Sequence, residues 1–565
     1  MGQLSTIDYA VFLFYFIGVS AYGYSVYRKQ QKTKQNTKDF FLAEGSLTWW
    51  AIGASLIASN ISAEQFIGMS GDGYRYGVAI AVYEWLAAIS LIIVAVWFIP
   101  IYLKNKIYTM PQFLSTRYNE TVSLIMAVFW LFLYVFVNLT SILFLGALAV
   151  SSLVGPDSFH PVIICLSLFA IFITLGGMNV IGYTDVIQVL VLIIGGLVTT
   201  YLALQQVSLT FGLDGGVLSG LGAMFKDADD HFHMIFSKPE ASAPQAEIKR
   251  YLTLPGIAMY LGGQWVVNLN YWGCNQYITQ RALGADLKTA RTGILFAAIL
   301  KIFMPIIVML PGIAAYVIHK NGGLATEMMR NGVVSGDNAY SAVLTFLPTG
   351  LKGLSVAALT AAIVASLAGK ANSISTIFTL DIYQKYINKT ASESRSLWIG
   401  RITIVVAMLL SISMAWSDAL GIGGEGGFTF IQKYTGYISP GIFSVFILGF
   451  FWKRTTGAAA IAGVLGGFGF AVLFNNFAPQ LFGPETLMYS AFPNSDGVYE
   501  IPFLISMGWS FVLTVALMVL VSLAGPKINP KGLEIDASMF KLAPSNLAMA
   551  VIVIMLVSML YIRFW

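Results

Sequence analysis

Charge is what this chain has least of. Of its 565 residues only 10% are Asp, Glu, Lys or Arg, where a soluble protein carries about a quarter. The deficit excludes the string of soluble domains that the length alone would suggest. Lipid is the solvent for most of the chain. Cysteine is almost absent: Cys165 and Cys274, both in apolar context, supply no disulfide framework. The histidines His160, His231, His233 and His319 fall in connecting segments, and no His, Cys and carboxylate cluster has metal-ligand spacing. No nucleophile–base constellation marks a membrane-embedded enzyme.

What remains is 57% hydrophobic. Divided into spans of about 20 residues, this suggests a dozen or more helices in one body. Fourteen apolar segments can be laid down, at roughly 6–27, 47–71, 77–103, 121–152, 160–178, 185–206, 253–280, 291–318, 352–384, 398–417, 427–452, 457–476, 501–524 and 545–564. The expected fold class is therefore an all-α membrane protein with 14 transmembrane helices. Its net charge of +5 is not a nucleic-acid stripe, because the Lys and Arg lie mainly in short loops between apolar segments.

Those loops orient the chain. The first span opens with Asp8 and is followed by Arg28, Lys29, Lys32, Lys34 and Lys38. A secretory signal has the opposite order, so a retained span is expected, with its N-terminus outside the cytoplasm. About 20 of the 32 Lys and Arg then fall inside, Arg117 and Arg281 among them, and about 9 outside. An even span count places both termini outside, in a cell inner membrane. Two long exterior loops, 207–252 and 319–351, remain.

Two spans are not uniformly apolar. The second contains Ala58-Ser59-Asn60-Ile61-Ser62-Ala63-Glu64-Gln65, and the seventh runs Gly262-Gly263-Gln264 through Asn268, Asn270 and Asn275 to Gln276. Polar, broken helix at mid-membrane is tolerated only where it lines a cavity within protein. The two lie five spans apart, the spacing of two inverted five-helix repeats that each open with a discontinuous helix. Charges inside spans are functional candidates by default: Glu64, Glu84, Asp185, Lys301 and Lys370.

The run Ala58–Gly68, then Tyr83-Glu84-Trp85, Thr184-Asp185-Val186-Ile187-Gln188, Tyr271–Gln276 and Asn372–Tyr383 resembles the sodium/solute symporter family. Within it, the motifs are most similar to the sodium/glucose cotransporter branch and its bacterial galactose-carrying members. The resemblance covers about residues 38–460 and implies a leucine-transporter-type fold, with one helix before a five-plus-five inverted-repeat core and three after it. The implied divisions are 1–40 (first helix and basic loop), 41–210 (first repeat), 211–252 (exterior loop), 253–455 (second repeat) and 456–565 (three last helices). The implied activity is sodium-coupled import of a neutral sugar, such as galactose or glucose, or a related polyol.

A sugar presents hydroxyls that both donate and accept, so its pocket wants mixed carboxylate, amide and ammonium groups with an aromatic face. Gln65, Glu84, Asn268, Tyr271, Lys301 and Gln432 are of these types, and the resemblance places sugar contacts at those positions. It also implies an inner gate of Tyr271 with Asn60, and an outer gate of Met69, Tyr83 and Phe428. Ala87 departs from the pattern, standing where bacterial galactose-carrying members have a hydroxyl. Sodium, the co-transported ion, takes about five or six hard oxygen ligands. The resemblance assigns it the carbonyls of Ala58, Ile61 and Ala362 and the Ser366 hydroxyl, with Ala365 where a second hydroxyl is usual. Lys370 lies two helical turns from Ala362 on the face of Ser366. It is expected to pair with Asp185 and stand in for a second ion. Alternatives in other classes are a sugar sensor or channel; within transport they are an amino-acid or carboxylate symporter and a sodium-independent carrier.

Overall fold

The computed structural model describes residues 4–31, 47–62, 64–330, 332–420, 427–527 and 529–565. Ala63 and the basic-loop residues Lys32, Lys34 and Lys38 lie outside the described residues. The chain is mostly helical. Among the described residues β-structure is confined to an isolated bridge, Glu485 with Ser490, and two short antiparallel ladders, Met329–Arg330 with Val333–Val334 and Phe492–Pro493 with Tyr499–Glu500. Ten helices among these residues are long and apolar enough to cross a membrane, or eleven if Phe428–Thr435 and Ser439–Phe451, bent by 54°, form one span.

The chain forms two compact units. The first comprises Met1–Ala81, Ala127–Phe232 and Gln280–Phe430. At its centre is the Leu351–Thr376 helix, buried at every position except Leu351 and Leu354. Its sequence is mostly Ala, Ser, Thr, Gly and aliphatic residues, and small side chains let helices approach closely where lipid provides no hydrophobic drive between them. The approach is close enough that glycine is required opposite it. A Cβ on Gly195 of the Met178–Thr210 helix would lie 2.6 Å from the Ala358 Cβ, and one on Gly146 would lie 2.8 Å from Ile363 Cγ2. Hydroxyls add cross-links: Thr199 Oγ1 and Ser355 Oγ are 3.0 Å apart, and Ser375 Oγ donates to the Gly400 carbonyl at 2.8 Å.

The start of this helix leaves backbone N–H groups without intrahelical acceptors. Asp8, in the first turn of the Thr6–Gln31 helix, supplies one. Its Oδ1 accepts from Gly350 N and Gly353 N at 2.7 and 2.9 Å, while Ser5 N and Oγ donate to Oδ2. A carboxylate at the positive end of a helix dipole is favourable, so the one acid of the first span is a structural clasp. Asp286 does the same locally for the Leu287–Val308 helix. Bonds from the Thr289 hydroxyl and from the Thr289 and Lys288 N–H groups hold its carboxyl below the usual carboxylate range.

The second unit comprises Val82–Met126, His233–Thr279 and Ile431–Trp565. Its interior holds a cluster of rings, Phe98, Tyr102, Phe113, Phe446 and Phe450, with neighbouring centroids 4.8–5.8 Å apart. Arg117 is not a loop cation, as its place in a basic connection led us to expect, but is buried. Its Nε donates to Gly449 O at 2.8 Å, and its Nη atoms donate to Thr455 O and Trp452 O at 3.0 and 2.9 Å. These carbonyls lie at and just beyond the C-terminus of the Ser439–Phe451 helix, where a cation also meets the negative end of the dipole. Arg117→Ala is expected to lower unfolding stability in detergent by about 3 kcal/mol or more, because several buried carbonyls lose their donors. Lysine at 117 should restore only part of this, since one ammonium cannot reproduce the planar fork.

Candidate functional site

In the first unit the second expected span is broken. The Trp49–Asn60 helix ends at Ile61, which adopts φ −77° and ψ 103°. A π-helical turn, Glu64–Met69, follows, and then Ser70–Tyr76. Ser62 organises the break. Its N–H and hydroxyl both reach Gln65 Oε1, at 3.0 and 3.1 Å, and its Oγ accepts from Glu64 N at 3.1 Å. Gln65 is therefore held by its amide oxygen, and its Nε2 is what it can offer a ligand.

The Leu351–Thr376 helix meets this break. Ser366 Oγ lies 3.0 Å from Ser59 O and 3.4 Å from Ala58 O. The structure thus brings Ser366 to the carbonyl end of the Trp49–Asn60 helix, where Ala58 and Ile61 were expected to face it. Ala362 and Ala365 are buried on the same helix. The Ser59 carbonyl was not anticipated. An extra carbonyl in the last helical turn is a signal that helix termination alone provides.

The buried charges are arranged differently from expectation. Lys370 does not pair with Asp185. Its Nζ lies 3.8 Å from Glu64 Oε1. Asp185 instead faces Arg281: Ser55 Oγ donates to Asp185 Oδ2 at 2.5 Å and accepts from Arg281 Nε at 2.8 Å, with Arg281 Nη2 3.8 Å from the same carboxylate oxygen. Gly369 explains the exchange. A Cβ there would collide with Arg281 Nη2 and lie 3.2 Å from Ser59 Oγ, so the missing side chain makes room for the guanidinium. The next residue, Lys370, is turned about 100° round the helix, toward Glu64. Arg281 itself, expected in a cytoplasmic loop, is buried.

The first unit also contains the gate candidates Asn60, Met69 and Phe428 and the sugar candidate Lys301, all buried. Phe428 backs onto the break: a Cβ on Gly68, next to Met69, would lie 2.6 Å from both the Phe428 Cβ and its N. Beyond it is a group that sequence reasoning missed. Arg75 Nη1 lies 3.0 Å from both Asp72 and Asp337, and Thr429 Oγ1 donates to Asp72 Oδ2 at 2.9 Å. The second unit contains Tyr83, Glu84, Asn268, Tyr271 and Gln432. Glu84 is 2% exposed, and Asn268 Nδ2 donates to Gln264 O at 3.0 Å, leaving Oδ1 to accept.

The seventh expected span breaks in other places than its polar run suggests. Gly263–Gly273 is a continuous helix, interrupted before it at Gly262 and after it at Cys274. Asn268 Nδ2 bonds back within the helix and Asn270 Nδ2 reaches Ser439 Oγ at 3.1 Å, so both amide N–H groups are taken up without the backbone opening.

Comparison with known proteins identifies the family. Residues 40–467 match the model described as the Sodium:solute symporter family. The chain is 44% identical over 574 residues to a sodium/glucose cotransporter of Vibrio parahaemolyticus, covering 100% of this chain and 99% of that protein. It is 33% identical to the sodium/myo-inositol cotransporter 2 of Mus musculus, covering 82% and 69% of the two chains. The solved structure of a Na+-coupled sialic acid symporter, 21% identical, superposes with a TM-score of 0.74 over 93% of this chain and 99% of that one, which is a likeness of fold. Within this frame the Ser55 relay is testable. Ser55→Ala leaves Arg281 Nε and Asp185 without their shared hydroxyl and should lower unfolding stability by about 1.5–3 kcal/mol, as read by thermal denaturation in detergent. An unchanged transition would contradict the relay.

Proposed function

The chain belongs to the sodium:solute symporter family, and from that premise we propose that it imports a neutral sugar, a hexose or related polyol, together with sodium by alternating access. The observation that carries the proposal is the Ser366 hydroxyl set against the Ala58 and Ser59 carbonyls immediately before the break in the second span. Carbonyls freed by a broken helix, joined by a hydroxyl, are the hard oxygens a sodium ion takes. We assign the ion to Ala58, Ile61 and Ala362 carbonyls and Ser366, beside Ala365. The printed names of the Vibrio and mouse relatives support sodium with glucose or myo-inositol as the solute class.

Sugar contacts are assigned to Gln65, Glu84, Asn268, Tyr271, Lys301 and Gln432. The amide N–H of Gln65 and the amide oxygen of Asn268 remain for a ligand after their local bonds are counted, a donor and an acceptor of the kind hydroxyls need. Asn60 with Tyr271, and Met69, Tyr83 and Phe428, act as gates. A carboxylate substrate would want a guanidinium; Arg75 and Arg281 are already engaged by Asp72, Asp337 and Asp185.

The fourteen-span count with two inverted repeats, 41–210 and 253–455, both termini outside and an inner-membrane location, is part of the same reading. Glu64–Lys104, at 41 residues, is long enough for about two crossings and is interrupted at Gly77, where φ is +68°. Asp185 and Glu64 each carry a resident cation, Arg281 and Lys370, so the coupling is one sodium per sugar.

Lys301→Ala and Gln432→Ala should each weaken sugar affinity at least tenfold while the protein still folds, the cost of a charge-assisted hydrogen bond in a dry site being about 1.5–3 kcal/mol. Normal radiolabelled sugar uptake by both variants would remove these residues from the site. Ser366→Ala should raise the half-saturating sodium concentration about tenfold while wild-type uptake rises hyperbolically with sodium. A sigmoidal wild-type curve would contradict the stoichiometry.

A further inference from the structure

His231 lies in the 207–252 loop, in the short 3-10 helix Asp229–Phe232, and is 2% exposed. It packs against the half of the second span that lies beyond the break. The Glu64–Met69 turn and the Ser70–Tyr76 helix follow one another without a gap, so this half-span runs from the break to Gly77. Gly77 has φ +68°, and a Cβ there would overlap the His231 carbonyl and Cα. Glycine lets the loop backbone settle directly on the end of the helix. The His231 ring reaches the last helical turn, its Nε2 3.1 Å from the Tyr74 carbonyl oxygen. Its Nδ1 lies 3.1 Å from Asp230 Oδ1. Its face stacks on Tyr316 of the Leu310–Lys320 helix, with ring centroids 3.9 Å apart.

Both ring nitrogens therefore face oxygens that only accept. A neutral imidazole carries one N–H, so it bonds one of them and sets a lone pair against the other. An imidazolium donates to both. The charged ring suits its surroundings in two further ways: a tyrosine face attracts a cation stacked on it, and a cation at the last carbonyls of a helix meets the negative end of the dipole. Other fastenings of the half-span differ. Tyr74 Oη and His319 Nδ1 lie 2.7 Å apart, and a phenol that both donates and accepts satisfies that nitrogen in either state. Arg75, cationic throughout, is held 3.0 Å from both Asp72 and Asp337. Gly312 sits so close that a Cβ on it would overlap the Ser70 carbonyl.

We infer that His231 is a positioning residue for the ion site. As an imidazolium it clasps the loop to the far end of the half-span whose near end is the Ser62–Gln65 turn, and on losing its proton it releases one of its two bonds. The inference rests on the proposed reading for the identity of the ion and the side of the membrane on which the loop lies, whereas the charge of the ring is independent of it. Histidine changes charge between about pH 5 and pH 8, so acid on the loop's side holds the break in its ion-binding form and sodium binds more tightly. Direct competition of protons with sodium has the opposite sign.

Four histidines are present, so nitrogen NMR of the histidine-labelled full chain in lipid nanodiscs, read against His231→Gln, isolates this ring. At about pH 6 both its nitrogens should be protonated. Hydrogen exchange over Ser70–Gly77, corrected for its intrinsic pH dependence, should quicken about threefold between about pH 6 and about pH 8, as one hydrogen bond is lost. Asp230→Asn is the deciding variant. The Asp230 side chain is 57% exposed, so the fold tolerates the change, and an amide can donate to a neutral Nδ1. The neutral ring then keeps both bonds, and exchange should no longer follow pH. In proteoliposomes the half-saturating sodium concentration should rise about threefold over the same interval in the wild type and stay level in Asp230→Asn. A singly protonated ring in the wild type at the lower pH, wild-type exchange that ignores pH, or an equal response in Asp230→Asn would overturn the clasp. Half-saturating sodium that stays level or falls as pH rises, with the exchange pattern as expected, would overturn its link to the ion site. That exchange pattern without any sodium-driven uptake would leave the clasp standing and count against the transport reading instead.

Discussion

A helix inside a bilayer has no water to satisfy a backbone group it leaves unbonded, so a helix can break there only where protein supplies the missing partners. In the first unit the break after Asn60 depends on this. Ser62 and Gln65 bond the turn from within, and the Leu351–Thr376 helix presents Ser366 to the last carbonyls. That helix can come so near because its neighbours carry glycine where it passes, and it is anchored at its start by Asp8. Carbonyls pulled out of one helix and held in place by another are oriented dipoles awaiting a cation. The atoms that the structure needs to close the break are the same ones to which we assign the ion.

The buried charges follow from the same close packing. Two carboxylates in so dry a region need partners. A single glycine determines which cation reaches which acid: with no side chain at 369, the Arg281 guanidinium fills the space beside Ser59 and Ser55 and meets Asp185, and the helical rotation of one residue sends Lys370 to Glu64. Each acid faces a cationic side chain of the chain itself, and in the proposed reading the carbonyl site is the one left for the ion.

Much of this was legible in the sequence, and the limits are physical. The membrane class followed from the scarcity of charge. The break in the second span showed in its polar run because Ser62, Glu64 and Gln65 take up backbone roles there. The seventh span misled because an asparagine bonds within an unbroken helix, as Asn268 does, or to a neighbouring helix, as Asn270 does to Ser439, as readily as it caps a broken one. Ser366 against Ala58 was foreseeable from the resemblance. The Arg281–Asp185 pair was not: an arginine after an apolar segment reads as a loop cation, and only the space left at Gly369, a tertiary fact, draws it inside. Arg117 was misread for the same reason, as its acceptors are carbonyls some 330 residues away in sequence.

The central claim is that sodium and sugar cross together. Currents recorded from proteoliposomes on a solid-supported membrane test it directly, because coupled entry of a neutral sugar with one sodium moves one positive charge per sugar. The account predicts an inward current on adding glucose, galactose or myo-inositol to at least one of these sugars' binding conditions in sodium, absent when potassium replaces sodium. Sugar uptake that proceeds equally in potassium, or without any current in sodium, would contradict it.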